Sequence, residues 1–268
     1  MDFSGVRLVV SDMDGTLLNE KGEISSRFFN QFEELKKRNI HFVAASGRQY
    51  QSILEKLGPI KDDISIIAEN GSLMKYQNKE HILFKLSKDE VDNAISILRN
   101  IEGCFIVLCG RKSAYIETHN QDFISKFSQY YKEYVIVDDL TKVVDDDFLK
   151  IAVYHFQSSE VFVLPFLKNL SEELKIVVSG QNWLDISHPH VDKSYALKLV
   201  QEGMRISKKE TMVFGDYNND LNMLKLGDFS FAMKNAHQDV KKIAQFETKS
   251  NDEDGVGEIL EQLLVNKQ

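Results

Sequence analysis

Basic charge is in short supply in this chain: 33 lysines and arginines stand against 41 aspartates and glutamates, a formal net charge of −8. A nucleic-acid backbone needs a basic footprint, so nucleic acid is not an expected partner, and an anionic ligand must find its positive charge locally. Cysteine is scarcer still. Cys104 and Cys109 lie five positions apart in a β-like stretch, so they point to opposite faces and form no disulfide framework; buried apolar filling is their expected role. No apolar run approaches the ~20 residues that a membrane span requires. Met1 to Gly5 leads straight into a strand-like run rather than a signal peptide, which reads as a cytoplasmic protein with no membrane partner. Pro-rich and Gly/Ser-rich tracts are missing too, and 43% hydrophobic with 28% charged residues fits a globular chain. At 268 residues there is room for one large or two modest domains.

The pattern along the chain divides into three stretches. Val6 to Ser11 is a short apolar run suited to a strand buried on both faces of a parallel sheet. A helix is expected after Ser25 and Ser26, with Phe28, Phe29, Phe32 and Leu35 at helical spacing and Lys36, Lys37 and Arg38 in its last turn. His41 to Ala45 and Ile64 to Ala68 read as strands around a helical Tyr50 to Leu57, an alternation that signals a doubly wound α/β layer. After Asn70-Gly71 the rhythm changes. Strand-like runs at Leu73 to Tyr76 and His81 to Leu86 precede a helix capped by Ser87 and Glu90, and strands then dominate to Ser187, with helices expected at Gln121 to Tyr131 and Glu160 to Leu170. From Lys193 the first rhythm returns, with Met212 to Phe214 as a strand and helices near 219 to 226 and 255 to 265. The expected architecture is a doubly wound, Rossmann-like parallel-sheet core over 1–81 and 189–268, with an inserted α+β cap domain over 82–188.

Asp12-Met13-Asp14-Gly15-Thr16 stands where the first buried strand ends, the edge at which open parallel sheets bind ligands. Residues i and i+2 leave a strand on the same side, so Asp12 and Asp14 are expected to point into one crevice. Two close carboxylates repel, which raises one pKa or calls for a cation between them, and a hard divalent ion such as magnesium suits oxygen ligands. An Asx-type turn is the plain alternative. Ser46, in Ala45-Ser46-Gly47-Arg48, offers a hydroxyl and exposed backbone N–H groups for a phosphate oxygen, Lys193 offers an ammonium, and Gly215-Asp216-Tyr217-Asn218-Asn219-Asp220 follows another expected core strand. Each has an ordinary reading as loop, surface or cap; together they supply a nucleophile, a proton shuttle, cation ligands and phosphate clamps. In the expected cap, Arg111, Trp183, His188 and His190 are weaker candidates, with loop solvation, core packing and hinge packing as their simpler readings.

In this ordered set the chain resembles the haloacid dehalogenase superfamily of phosphohydrolases, in its Cof-type subgroup, over nearly its full length. The resemblance implies Asp12 as nucleophile and Asp14 as general acid and base. It implies phosphate contacts from Met13, Ser46, Gly47, Lys193 and Asn219, and magnesium held by Asp12, Asp14 through its backbone carbonyl, Asp216 and Asp220. Glu69-Asn70-Gly71 and Asp254-Gly255-Val256 are further family-like stretches. Ser194 departs from the glycine usual after the third-motif lysine, which implies slightly altered packing. The implied activity is magnesium-dependent hydrolysis of small phosphorylated metabolites, such as sugar phosphates, through an aspartyl-phosphate. A phosphomutase acting on hexose phosphates is the alternative, and a non-catalytic sugar-phosphate sensor the competing class. The oligomeric state and the identity of the substrate are not legible.

Overall fold

A computed structural model of the protein describes residues 1–266. Its first strand, β1 (Leu8–Asp12), is buried at every position, including Ser11 and Asp12, as a central strand covered on both faces must be. Helix α1 (Ser26–Lys37) starts where the Ser25 side chain accepts from the Arg27 N–H, and it buries Phe28, Phe32 and Leu35 along one stripe. Next come β2 (His41–Ala45), α2 (Tyr50–Lys56), β3 (Ser65–Ala68), β4 (Leu73–Tyr76) and β5 (Lys79–Ile82). Helix α3 (Lys88–Leu98) begins with the expected capping box of Ser87 and Glu90. It leads to β6 (Cys104–Gly110), β7 (Ala114–Ile116), α4 (Gln121–Phe127), β8 (Tyr134–Ile136) and β9 (Phe148–His155). A four-residue α5 (Ser159–Phe162), β10 (Lys175–Val178) and β11 (Trp183–Ser187) follow. The chain ends with α6 (Lys193–Met204), β12 (Thr211–Gly215), α7 (Leu221–Leu224), β13 (Phe229–Ala232), α8 (Gln238–Ile243), β14 (Phe246–Glu247) and α9 (Gly255–Asn266).

Two compact units result: Met1–Ser46, Leu54–His81 and the chain from Asp192 in one, Gly47–Ile53 and Ile82–Val191 in the other. The first unit holds an eight-stranded sheet in the order β14-β13-β12-β1-β2-β3-β4-β5. From β14 to β3 every neighbouring pair is parallel, and β4 turns antiparallel against β3. Helix α1 packs on α9 and β2, and α6 packs on β3 and α7. This is the doubly wound α/β core.

The second unit is an α+β module whose six strands run β10-β11-β9-β6-β7-β8. Its pairings are antiparallel except β7 with β8. One face buries Leu98, Leu108, Ile151 and Ile186, the other Val107, Phe123, Phe127 and Ala152. Cys104 borders the first cluster and Cys109 belongs to the second, as their odd spacing requires. Trp183 packs edge-on against Tyr130 and Tyr154, and His188 stacks on Phe84.

Several elements differ from the sequence expectation. The helix expected over Glu160 to Leu170 is broken into α5 and two single 3-10 turns, because Pro165 has no N–H to continue an α-helical ladder. The strand expected at His81 to Leu86 is shifted to β5, leaving Leu86 in a single bridge to Phe148. Strands β8, β13 and β14 carry three, four and two residues, too short to show a period. Among the described residues no helix is long and apolar enough to cross a membrane.

Candidate active site

Parallel pairing sets the site. Strand β1 lies between β12 and β2, with Ser11 opposite Phe214 and Asp12 opposite Ala45. The residues that leave these strands, Asp12, Ser46 and Asp216, therefore emerge at one carboxyl edge. The order also reverses there, since β2 and β3 extend the sheet on one side of β1 while β12, β13 and β14 extend it on the other. Such a switch point opens a crevice.

Lys193 fills the floor of that crevice. It is the first residue of α6, whose N-cap Asp192 accepts from the Ser194 N–H at 2.8 Å. Its side chain is fully buried, and Nζ donates to Asp12 Oδ1 at 2.5 Å and to Asp220 Oδ1 at 2.8 Å. The other Asp220 oxygen accepts the backbone N–H groups of Asp216 at 3.0 Å and Tyr217 at 3.2 Å. The Thr16 hydroxyl donates to Asp216 Oδ1 at 3.0 Å. Gly15 has φ +76°, and a Cβ there would collide with the Asp216 carboxylate, so glycine is required twice over, by conformation and by space.

The remaining expected residues are placed as follows. Ser46 is buried, its N–H donating to the Ile67 carbonyl at 2.8 Å and its own carbonyl accepting from Asn70 N–H at 3.0 Å. The Met13 side chain is wholly buried in the core and its carbonyl accepts from the Leu18 N–H, so an anion could meet only its backbone N–H. Gly47 accepts a hydrogen bond at 2.7 Å from Lys150 within the second unit. Asn219 donates to Asn70 Oδ1 at 3.1 Å. Asp12 and Asp14 do not share the strand geometry their spacing suggests: β1 ends at Asp12, which is buried, and Asp14 is exposed beyond it.

Burial pushes Asp12 well above the ordinary carboxylate range; the Lys193 ammonium opposes this, while the charges of Asp220, Asp216 and Asp14 add to it. Burial also lifts Asp216, to about 7, helped by Asp220 and opposed by the Thr16 hydrogen bond and Lys193. Burial alone would lower Lys193, but Asp12 and Asp220 outweigh it and hold the ammonium charged. One oxygen from each of Asp12, Asp216 and Asp220 can be chosen so that all lie within 4.8 Å of one another. Oxygen donors gathered this closely are the kind a hard divalent cation takes, and Asp12, Asp216 and Asp220 would hold it. Three carboxylates against one ammonium leave a net charge of −2 when all are ionised, which a divalent cation cancels. The donor set therefore fits a hard divalent metal.

Sequence reasoning missed the amides that brace this site. Asn235 Nδ2 donates to the Gly15 carbonyl at 2.8 Å, and Asn235 Oδ1 accepts from the Asn251 N–H at 3.2 Å. Asn251 Nδ2 in turn donates to the Leu18 carbonyl at 2.9 Å, and Asn222 donates to Asp192 Oδ2 at 2.9 Å. Asn235 and Gly15 are 220 positions apart, so no local pattern announces their pairing.

The sequence profile of haloacid dehalogenase-like hydrolases matches residues 9–260. The 5-amino-6-(5-phospho-D-ribitylamino)uracil phosphatase YbjI of Escherichia coli is 31% identical over 268 residues, covering 98% of this chain and 97% of its own. The crystal structure of SMU.1108c from Streptococcus mutans superposes with a TM-score of 0.88 at 28% identity, over 97% of this chain and 99% of that one. The subclass IIB sugar phosphatase BT4131 shares the fold at a TM-score of 0.81 and 20% identity, over 96% and 98% of the two chains.

Proposed function

The chain belongs to the haloacid dehalogenase-like hydrolases and is a phosphatase, and we propose that it hydrolyses small phosphorylated metabolites, of the sugar- or polyol-phosphate kind, through a phosphoryl group carried on Asp12. The observation that carries this reading is the Lys193 ammonium bridging Asp12 and Asp220, with Asp216 beside them, at the carboxyl edge of the sheet. The names of YbjI and BT4131 support the substrate class, since a phosphoribityl group and a sugar phosphate share a phosphomonoester on a polyhydroxylated carbon chain.

In the first step Asp12 Oδ attacks phosphorus in line with the leaving oxygen, which takes a proton from Asp14 and departs as an alcohol. In the second, Asp14 takes a proton from a water whose oxygen attacks the same phosphorus, freeing phosphate and restoring the Asp12 carboxylate. The exposure of Asp14 suits a group that must meet both a leaving group and water. Lys193 opposes the protonation that burial favours at Asp12 and neutralises charge; Ser46, Asn219 and the backbone N–H groups of Met13 and Gly47 hold the phosphate oxygens. Magnesium is the proposed cofactor, held by Asp12, Asp216, Asp220 and the Asp14 backbone carbonyl, and it would withdraw charge from the phosphate oxygens. Asp220, whose two oxygens also engage Lys193 and the Asp216 backbone, fixes the orientation of both. The segment 82–188 is the proposed cap that selects substrates, and the cytoplasm the proposed setting, without nucleic-acid or membrane partners.

A panel of sugar and polyol phosphates tests the proposal. Free phosphate is expected to appear in a magnesium-dependent manner, and Asp14→Asn is expected to slow its release severely. An isomeric sugar phosphate in place of free phosphate, or release indifferent to magnesium, would refute it.

A further inference from the structure

The turn Glu69-Asn70-Gly71, at the carboxyl end of β3, runs through three successive positive φ angles: 50°, 56° and 105°. Glycine takes such angles freely and asparagine tolerates them, whereas glutamate does not, so this turn persists only because its surroundings hold it. It abuts three of the segments assigned to phosphate. The Asn70 N–H donates to the Ser46 carbonyl at 3.0 Å, and Asn70 Oδ1 accepts from Asn219 Nδ2 at 3.1 Å. At Gly71 a Cβ would come within 2.5 Å of the Asp192 carbonyl oxygen, so the turn packs directly on the residue before Lys193.

We infer that Asn70 is a positioning residue for the phosphate-binding groups, its backbone fixing the Ser46 peptide and its side-chain oxygen fixing the amide of Asn219. The inference rests on the proposed roles of Ser46 and Asn219. An amide NH2 carries two hydrogens; Asn70 holds one, which sets the direction Asn219 faces and leaves the second for a phosphate oxygen. Asparagine meets both demands at position 70, a left-handed backbone and a short acceptor side chain. Glycine would meet only the first.

Hydrolysis of p-nitrophenyl phosphate and its inhibition by inorganic phosphate test this on the full chain. Asn70→Gly keeps the backbone and removes the acceptor, with retention of the fold checked by circular dichroism and melting temperature. It is expected to raise KM and the phosphate inhibition constant about tenfold, the scale of one hydrogen bond to a charged group, while kcat changes far less. Asn219→Ala should do the same, and the double variant should be no worse than either single one. In an Asn70→Asp background, where the acceptor persists, Asn219→Ala should recover its full effect. Wild-type KM and phosphate inhibition in folded Asn70→Gly, or effects that multiply in the double variant, would overturn the inference. Asp12→Asn separates the two claims: an inactive Asp12→Asn beside a normal Asn70→Gly overturns only the role of Asn70, and an active Asp12→Asn overturns the reaction beneath it.

Discussion

Replacing Lys193 by methionine removes the ammonium that touches both Asp12 and Asp220 while keeping most of the apolar stem. The two contacts, at 2.5 and 2.8 Å, are each worth about 6 kcal/mol of gross attraction at an effective dielectric constant near 20. Desolvation offsets much of that, and breaking a buried ion pair costs about 3–5 kcal/mol net, mainly because the surviving charges are left uncompensated. That loss lies within the 5–15 kcal/mol typical of a folded protein, so the variant should still fold. With the ammonium gone, nothing opposes the burial and neighbouring charges that already raise Asp12, and its native pKa climbs further above that of the unfolded chain. The native state then holds more protons than the unfolded one, so stability falls as pH rises. Urea unfolding in a chelating buffer should thus show a deficit against the wild type that is largest at pH 8 and shrinks toward pH 5. Phosphatase activity should be lost throughout. A deficit that is absent, or that grows as the pH falls, would refute the placement of the Lys193 ammonium between Asp12 and Asp220.

Gly15→Ala forces a Cβ into the Asp216 carboxylate at a left-handed position. A displacement of about 1 Å in a catalytic group costs about 10²-fold in rate, so kcat on an aryl phosphate should fall on that scale, and a wild-type kcat would argue against the interlock of Gly15 and Asp216. His41 is held below its usual pKa by burial, with Nε2 2.8 Å from the Ser65 hydroxyl. The unfolded chain then binds the proton first, so this contribution to stability is complete above about pH 6.5 and is lost as pH falls below it, at up to about 1.4 kcal/mol per pH unit. His41→Gln should flatten the acid side of the stability curve between pH 7.5 and 5.5; parallel curves for variant and wild type would contradict that.

Much of the core was legible because burial on both sides leaves a plain mark. The runs at β1 and β2 and the Ser87/Glu90 capping box sit where apolar continuity and cap chemistry place them. Strand β8, with two of its three residues exposed, carries no such mark, and the apolar spacing over Glu160 to Leu170 concealed the break that Pro165 enforces. At the site, local sequence announced the charged groups: Asp12, Lys193, Asp216 and Asp220 converge as parallel strand order demands. The amide braces were not announced. Asn235 on Gly15, Asn251 on Leu18 and Asn70 on Asn219 join positions 220, 233 and 149 apart, and asparagine in a loop looks the same whether it caps a turn or spans the fold. Exposure of Asp14 escaped for a simpler reason: the two-residue alternation applies inside a strand, and β1 stops at Asp12.

The central claim is that phosphoryl passes through Asp12, and the most direct measurement looks for it there. Asp14→Asn should still accept phosphoryl from a substrate with a good leaving group but lack the base for the second step. Acid-quenched during turnover with magnesium and digested, it should yield the peptide containing Asp12 with one added phosphoryl group, removable by hydroxylamine. A phosphoryl group on another residue, or none while Asp12→Asn retains wild-type turnover, would contradict the account.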